Sequence, residues 1–66
     1  MPDTFAERLR NIRKAQGLKQ YQLADRAGVD KAMICRYEKG KEFPSFCSLE
    51  WICKALGVPA SQLLGF

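Results

Sequence analysis

The feature that most restricts this chain is its glycine punctuation. Glycines at 17, 28, 40 and 57 each follow a segment whose apolar residues recur at helical spacing, and no segment alternates with the period of two expected of a half-buried strand. Phe5, Leu9 and Ile12 fall at i, i+4 and i+7. Thr4 and Glu7 are placed as a capping box before them, and Arg13 and Lys14 form a basic last turn before Gly17. A second helix is expected over 19–27, burying Leu23, Ala24 and Ala27, with Gly28 at the left-handed position that ends it. Asp30 reads as the N-cap of a third helix over 31–39, which turns Ile34 and Tyr37 inward and stops at Gly40. After a loop from Gly40 to Pro44, Ser45 caps a fourth helix with the apolar stripe Phe46, Leu49, Ile52, Cys53 and Leu56, closed by Gly57. Pro59 suits the first turn of a short fifth helix carrying Leu63 and Leu64. The expected fold class is all-α, five short helices with no linker.

At 66 residues there is room for one core only, so 1–66 is expected to be a single domain of marginal stability. A hydrophobic share of 47% against 27% charged is the balance of a soluble globular chain. The longest apolar run, Ala32 to Cys35, is far short of a membrane span, and the amino terminus lacks the layout of a signal peptide. No membrane partner is expected.

Several chemistries are poorly served. The absence of histidine removes the usual general base, the usual pH switch and the commonest metal ligand. Cys35, Cys47 and Cys53 contain no C-x-x-C spacing, so no metal or other cofactor is expected. A small secreted chain would carry an even set of disulfides, which makes the reducing cytoplasm the better home. The five glycines stand at least eight residues apart and build no phosphate loop. Cys35, Cys47 and the serines have no histidine to activate them, and Glu38 and Glu42 form no carboxylate pair in a defined pocket. No catalytic residue is expected. Eleven Lys and Arg against seven Asp and Glu leave a net charge of +4. That balance points weakly toward a polyanion and equally suits an ordinary soluble protein.

The second and third helices carry a sharper signal. Counted from Gln20, Leu23 and Ala24 are fourth and fifth, Gly28 and Val29 ninth and tenth, Ile34 fifteenth and Tyr37 eighteenth. Each fits two helices crossing steeply over a short turn: a small residue at the close approach, a glycine at the turn, and apolar anchors for the following helix. The other face of that helix presents Lys31, Ala32, Cys35 and Arg36.

With these residues the chain resembles the phage lambda repressor and Cro type of helix-turn-helix proteins, from Phe5 to Leu64. The matching runs are R-L-R-N-I-R, G-L-K-Q-Y-Q-L-A-D-R-A-G-V-D, I-C-R-Y-E-K-G and P-S-F-C-S-L-E-W-I-C-K-A-L-G-V. The resemblance implies a compact five-helix DNA-binding domain whose third helix enters the major groove of double-stranded DNA. Lys31, Ala32, Cys35 and Arg36 would then face base edges. Arg36 is able to fork onto guanine O6 and N7, and the Ala32 methyl suits a thymine methyl. Gln20 matches a glutamine that contacts a phosphate and braces the first reading side chain. Lys39 and Lys41 match positions on the opposite backbone segment, and Lys19 adds a cation where the family usually has a capping Ser or Thr. Arg13 and Glu38 match a pair that joins the first helix to the third.

The resemblance further implies a transcriptional regulator, foremost a repressor occupying a palindromic operator as a homodimer in a prokaryotic or phage setting. Trp51, Leu64, Phe66 and Phe43 are the apolar candidates for the dimer contact. Other readings stand beside it: a DNA-binding antitoxin, the amino-terminal domain of a longer regulator, or a protein-interaction module on the same frame. On period alone, Lys31 and Arg36 are equally the solvated face of a surface helix.

Overall fold

A computed structural model describes residues 4–65 and contains, among them, five helices and no strand. These are α1 (Phe5–Ala15), α2 (Gln20–Ala27), α3 (Lys31–Glu38), α4 (Phe46–Leu56) and α5 (Ala60–Leu64). The largest fully buried side chains are Leu9, Leu23, Ile34, Ile52 and Leu63, one from each helix. The core is therefore a single point of convergence, and removing any one helix would open it to water. α3 packs on α1 and α2, while α4 packs on α2 and α5.

The helix ends follow the sequence closely, with differences that matter at the functional face. At α1 the Glu7 N–H donates to Thr4 Oγ1 at 3.2 Å and the Thr4 N–H to Glu7 Oε1 at 3.5 Å, the reciprocal capping box expected. Ser45 caps α4 through its Oγ, which accepts from the Ser48 N–H at 3.2 Å. Lys19 and Lys39 stand just outside the helices they were expected to belong to, as N-cap of α2 and C-cap of α3. Lys19 offers no side-chain cap, but its own N–H donates to Gln22 Oε1 at 2.8 Å, so half of a capping box survives.

Three expectations need correction. Asp30 is the N-cap of α3, with the extended backbone of one, yet its side chain makes no capping bond. Pro59 precedes α5 as its N-cap, at ψ 158°, rather than lying in its first turn. Phe46 is in phase with the buried stripe of α4 but is 78% exposed, because it opens the helix where no neighbour covers it. Phase predicts direction, and burial needs a partner as well.

Candidate nucleic-acid interface

The turn between α2 and α3 fixes how the third helix is presented. Gly28 sits at φ 73°, in the left-handed region that L residues adopt only under strain. The Val29 N–H donates back to the Ala24 carbonyl at 3.0 Å and the Gly28 N–H to the Asp25 carbonyl at 3.3 Å, the paired bonds of a Schellman ending. Val29 follows half-buried against the core, which ties the turn between the two helices to it. α3 closes the same way: Gly40, at φ 74°, lets the Lys41 N–H reach the Arg36 carbonyl at 3.0 Å. Lys41 is thereby placed directly beyond the helix end.

A polar anchor holds α3 from the other side. Arg13 and Glu38 are both buried, at 8% and 4% exposure, and meet as a fork: Arg13 Nε donates to Glu38 Oε2 at 2.6 Å and Nη2 to Oε1 at 3.0 Å. Arg13 Nη1 donates to the Leu18 carbonyl at 2.8 Å, in the turn between α1 and α2. Glu38 Oε1 also accepts from Gln20 Nε2 at 3.1 Å. Four polar groups from α1, the first turn, α2 and α3 thus satisfy one another, three of them buried and Gln20 at the margin. The sequence resemblance implied the pair; it did not reveal Leu18 and Gln20 as its other partners.

With Ile34, Tyr37 and Glu38 turned inward, Lys31, Ala32 and Arg36 are exposed on the outer side of α3 and Cys35 is half-buried at its margin. Lys19, Lys39 and Lys41 are exposed at the ends of α2 and α3, and Gln20 is half-buried. The structure therefore brings these candidates onto the helix-turn-helix and its flanks. Gln20 departs from the rest because one of its amide protons is already engaged with Glu38. The uncapped amino terminus of α3 leaves its first N–H groups facing solvent, where positive dipole and free donors suit an anion.

One contact at this face escaped the sequence reading, which weighed Glu42 only as a partner for Glu38. Glu42, in the loop after α3, approaches Arg36 with its Oε1 3.8 Å from Nη1, both side chains well exposed. Arg36 Nη1 also lies 3.8 Å from the Met33 sulfur. Glu42 lies off the helix, so no periodic signal marks it.

The apolar residues offered for a dimer contact do not behave alike. Phe43 is 59% exposed but stacks at a tilt on Phe5, with ring centroids 4.8 Å apart. Trp51 is 48% exposed on the outer side of α4 and Leu64 is 37% exposed. Phe66 lies outside the described residues. Among the described residues the most exposed large apolar side chain is Phe46, which had been expected inside. Among the described residues no helix is long and apolar enough to cross a membrane, and the three cysteines are free.

A buried two-helix anchor, a Schellman turn and an outward basic helix define a helix-turn-helix of the repressor type. A helix-turn-helix domain family model matches residues 4–64, and the chain belongs to that family. It is 34% identical over 62 residues to the immunity repressor protein of Bacillus phage phi105, a match covering 94% of this chain and 43% of that protein. It superposes on the restriction-modification controller protein C.AhdI from Aeromonas hydrophila with a TM-score of 0.88, 32% identity and 91% of each chain covered. The DNA-binding domain of the P22 c2 repressor gives a TM-score of 0.90 at 28% identity, covering 96% of this chain and 84% of that one. The chain spans about half the length, or less, of several curated relatives it matches.

Proposed function

We propose that the chain is a sequence-specific binder of double-stranded DNA that regulates transcription, foremost as a repressor holding a palindromic operator as a homodimer. The observation that carries this reading is the exposed face of α3, where Lys31, Ala32 and Arg36 stand on a helix locked by the Arg13–Glu38 fork. In the major groove Arg36 takes guanine, Lys31 a second acceptor and Ala32 a thymine methyl, with Cys35 at the edge of the contact. Lys19, Lys39 and Lys41 hold phosphates on either side, and Gln20 uses its remaining amide proton on a phosphate oxygen. Such contacts position the helix, while the base edges supply the choice of sequence. No step of this function is catalytic, and its place is the cytoplasm, where the DNA is.

Two copies suit the geometry of such a site. Half-sites lie about one helical turn apart, roughly 34 Å. The molecule measures 29 × 24 × 23 Å, so two copies in contact give a spacing of that order. The relatives' greater length favours a second reading, in which the same module works inside a longer regulator. The size of the protein in its own cell separates the two.

Selection from a randomised duplex pool, with the winners titrated at two salt concentrations, tests the proposal. A palindrome with half-sites about ten base pairs apart is expected, and affinity should fall steeply with salt, by about −0.9 per phosphate on a log–log plot. Absence of enrichment together with weak binding at low salt overturns DNA reading and leaves a protein-interaction module on the same frame.

A further inference from the structure

A hollow of about 770 Å³ lies between the first turns of α1 and the segment from Tyr37 to Phe43 that leads out of α3. Its volume is that of a site for a small molecule. Phe5 and Phe43 give it an aromatic wall, their rings tilted by 45° with centroids 4.8 Å apart, and Phe43 is 59% exposed. Arg10, Lys39 and Lys41 also line it, and their side chains make no hydrogen bond or ion pair among the described residues. The carboxylates beside them are committed elsewhere. Glu38 is held by Arg13 and Glu42 faces Arg36 at 3.8 Å, so only Glu7, which accepts from the Thr4 N–H, stands against the three cations. Tyr37 adds an independent observation. It lines the hollow at 2% exposure, yet its hydroxyl has no hydrogen-bond partner among the described residues. A buried tyrosine hydroxyl ordinarily has one.

We propose that this hollow is an effector site for a small aromatic anion, an aryl phosphate or aryl carboxylate, and that its occupancy loosens the protein's hold on DNA. The flat body of the ligand packs on Phe43 and Phe5, whose faces and edges favour another ring in offset or edge-to-face contact. Its anionic group lies among Arg10, Lys39 and Lys41, with the Arg10 guanidinium able to meet two oxygens at once. The Tyr37 hydroxyl donates to a further oxygen. An inorganic anion leaves the aromatic wall in water, and a neutral ring leaves three cations unanswered, so the arrangement favours a molecule carrying both parts. The coupling to DNA comes from shared residues and rests on the phosphate contacts proposed above for Lys39 and Lys41. Two ammonium groups engaged by a bound anion are withheld from the DNA backbone. Linkage is reciprocal, so DNA weakens the anion by the same factor as the anion weakens DNA.

The probe is phenyl phosphate, a minimal molecule with both parts, titrated into the isotopically labelled full chain and followed by amide chemical shifts. Shifts are expected to centre on the first turns of α1 and on residues 37–43, with a dissociation constant of about a millimolar for so small a ligand. Inorganic phosphate and benzyl alcohol should each bind about tenfold more weakly, or worse. Arg10→Gln should weaken phenyl phosphate about tenfold and Tyr37→Phe, which keeps the ring in the core, about threefold, with circular dichroism unchanged. Shifts centred on Lys19 and Lys31, or equal binding of inorganic phosphate, mean a general attraction of anions to the basic surface and overturn the site. Binding that both variants leave intact overturns it too. The second arm measures duplex binding at matched ionic strength. Saturating phenyl phosphate should weaken it and flatten the log–log salt plot by about 1.8, the loss of two phosphate contacts. Unchanged duplex binding overturns the effector role. A wild-type chain that binds no duplex sinks the DNA reading and the effector role with it, while the shifts still decide the site.

Discussion

The buried fork between Arg13 and Glu38 gives the most quantitative expectation. Replacing Glu38 by Leu removes both acceptors of the Arg13 guanidinium and the partner of Gln20, leaving a cation at 8% exposure with only the Leu18 carbonyl. Breaking one side of a buried pair costs about 3–5 kcal/mol, because the other charge stays out of water uncompensated. A chain of 66 residues has a total stability of roughly 3–10 kcal/mol. Glu38→Leu therefore removes a third or more of what holds the fold, and Arg13→Met does the same by stranding the carboxylate.

The double variant should be milder than either single one. Arg13→Met with Glu38→Leu strands no charge, and apolar replacements of buried pairs are often neutral or better. Here the Leu18 carbonyl and the Gln20 amide also lose a partner, at about 1–3 kcal/mol for each group that stays buried. Urea titrations followed by far-ultraviolet circular dichroism give the four free energies of the cycle. The reasoning requires a coupling of about 2 kcal/mol or more between the two positions. Additive single effects would refute it.

Four further outcomes follow from the geometry. Arg36→Ala should cost about 1–3 kcal/mol on the preferred site and relax the choice of base, whereas Lys41→Ala should weaken all sequences alike and reduce the salt slope by about one; identical behaviour would mean α3 is misplaced as the reader. Glu42→Gln frees Arg36 from a carboxylate 3.8 Å away at a solvated surface, a pairing worth only about 0–1 kcal/mol, so binding to random duplex should rise by at most about fivefold; a fall would assign Glu42 a contact of its own. Iodoacetamide labelling read by mass spectrometry should modify exposed Cys47 first, half-buried Cys35 next and buried Cys53 last, and duplex DNA should protect Cys35 while sparing Cys47; the reverse protection would put the DNA on α4. Gly28→Ala should cost about 1–2 kcal/mol from backbone strain alone, since no atom lies within 4 Å of an added Cβ; a change below about 0.5 kcal/mol would show that the turn relaxes.

What the sequence revealed and what it concealed divide along a physical line. Helix existence was legible because Leu9, Leu23, Ile34, Ile52 and Leu63 sit in apolar periods, and a period is a local property. Gly28 and Gly40 were legible because their left-handed backbone admits few other residues. Phe46 misled because phase is local but burial depends on what the rest of the chain brings near. The approach of Glu42 to Arg36 and the bond from Gln20 to Glu38 were hidden for the same reason, since they join residues from different elements. Asp30 had the right residue type and backbone for a cap and takes the N-cap position, but the rotamer of its side chain, which makes no capping bond, was not legible in the sequence.

A chain this small keeps a buried ion pair where apolar replacements are often no weaker, and the reading helix supplies a reason. α3 buries Ile34 and Tyr37 in the core and packs Met33 partly against it, and apolar contact is non-directional, so it resists rotation of the helix about its axis only weakly. One residue of rotation is 100°, enough to carry Arg36 out of any base plane. The bidentate fork acts at the last residue of α3, where a fixed donor geometry from α1 determines the roll of the helix. The double variant Arg13→Met with Glu38→Leu is accordingly expected to remain folded while losing discrimination between its preferred site and random duplex. Its affinity for random duplex, which depends on Lys19, Lys39 and Lys41, should change far less. If the folded double variant kept full discrimination, the fork would be only a stabilising contact, and the roll of α3 would have to be set by Ile34, Tyr37 and the Gly28 turn.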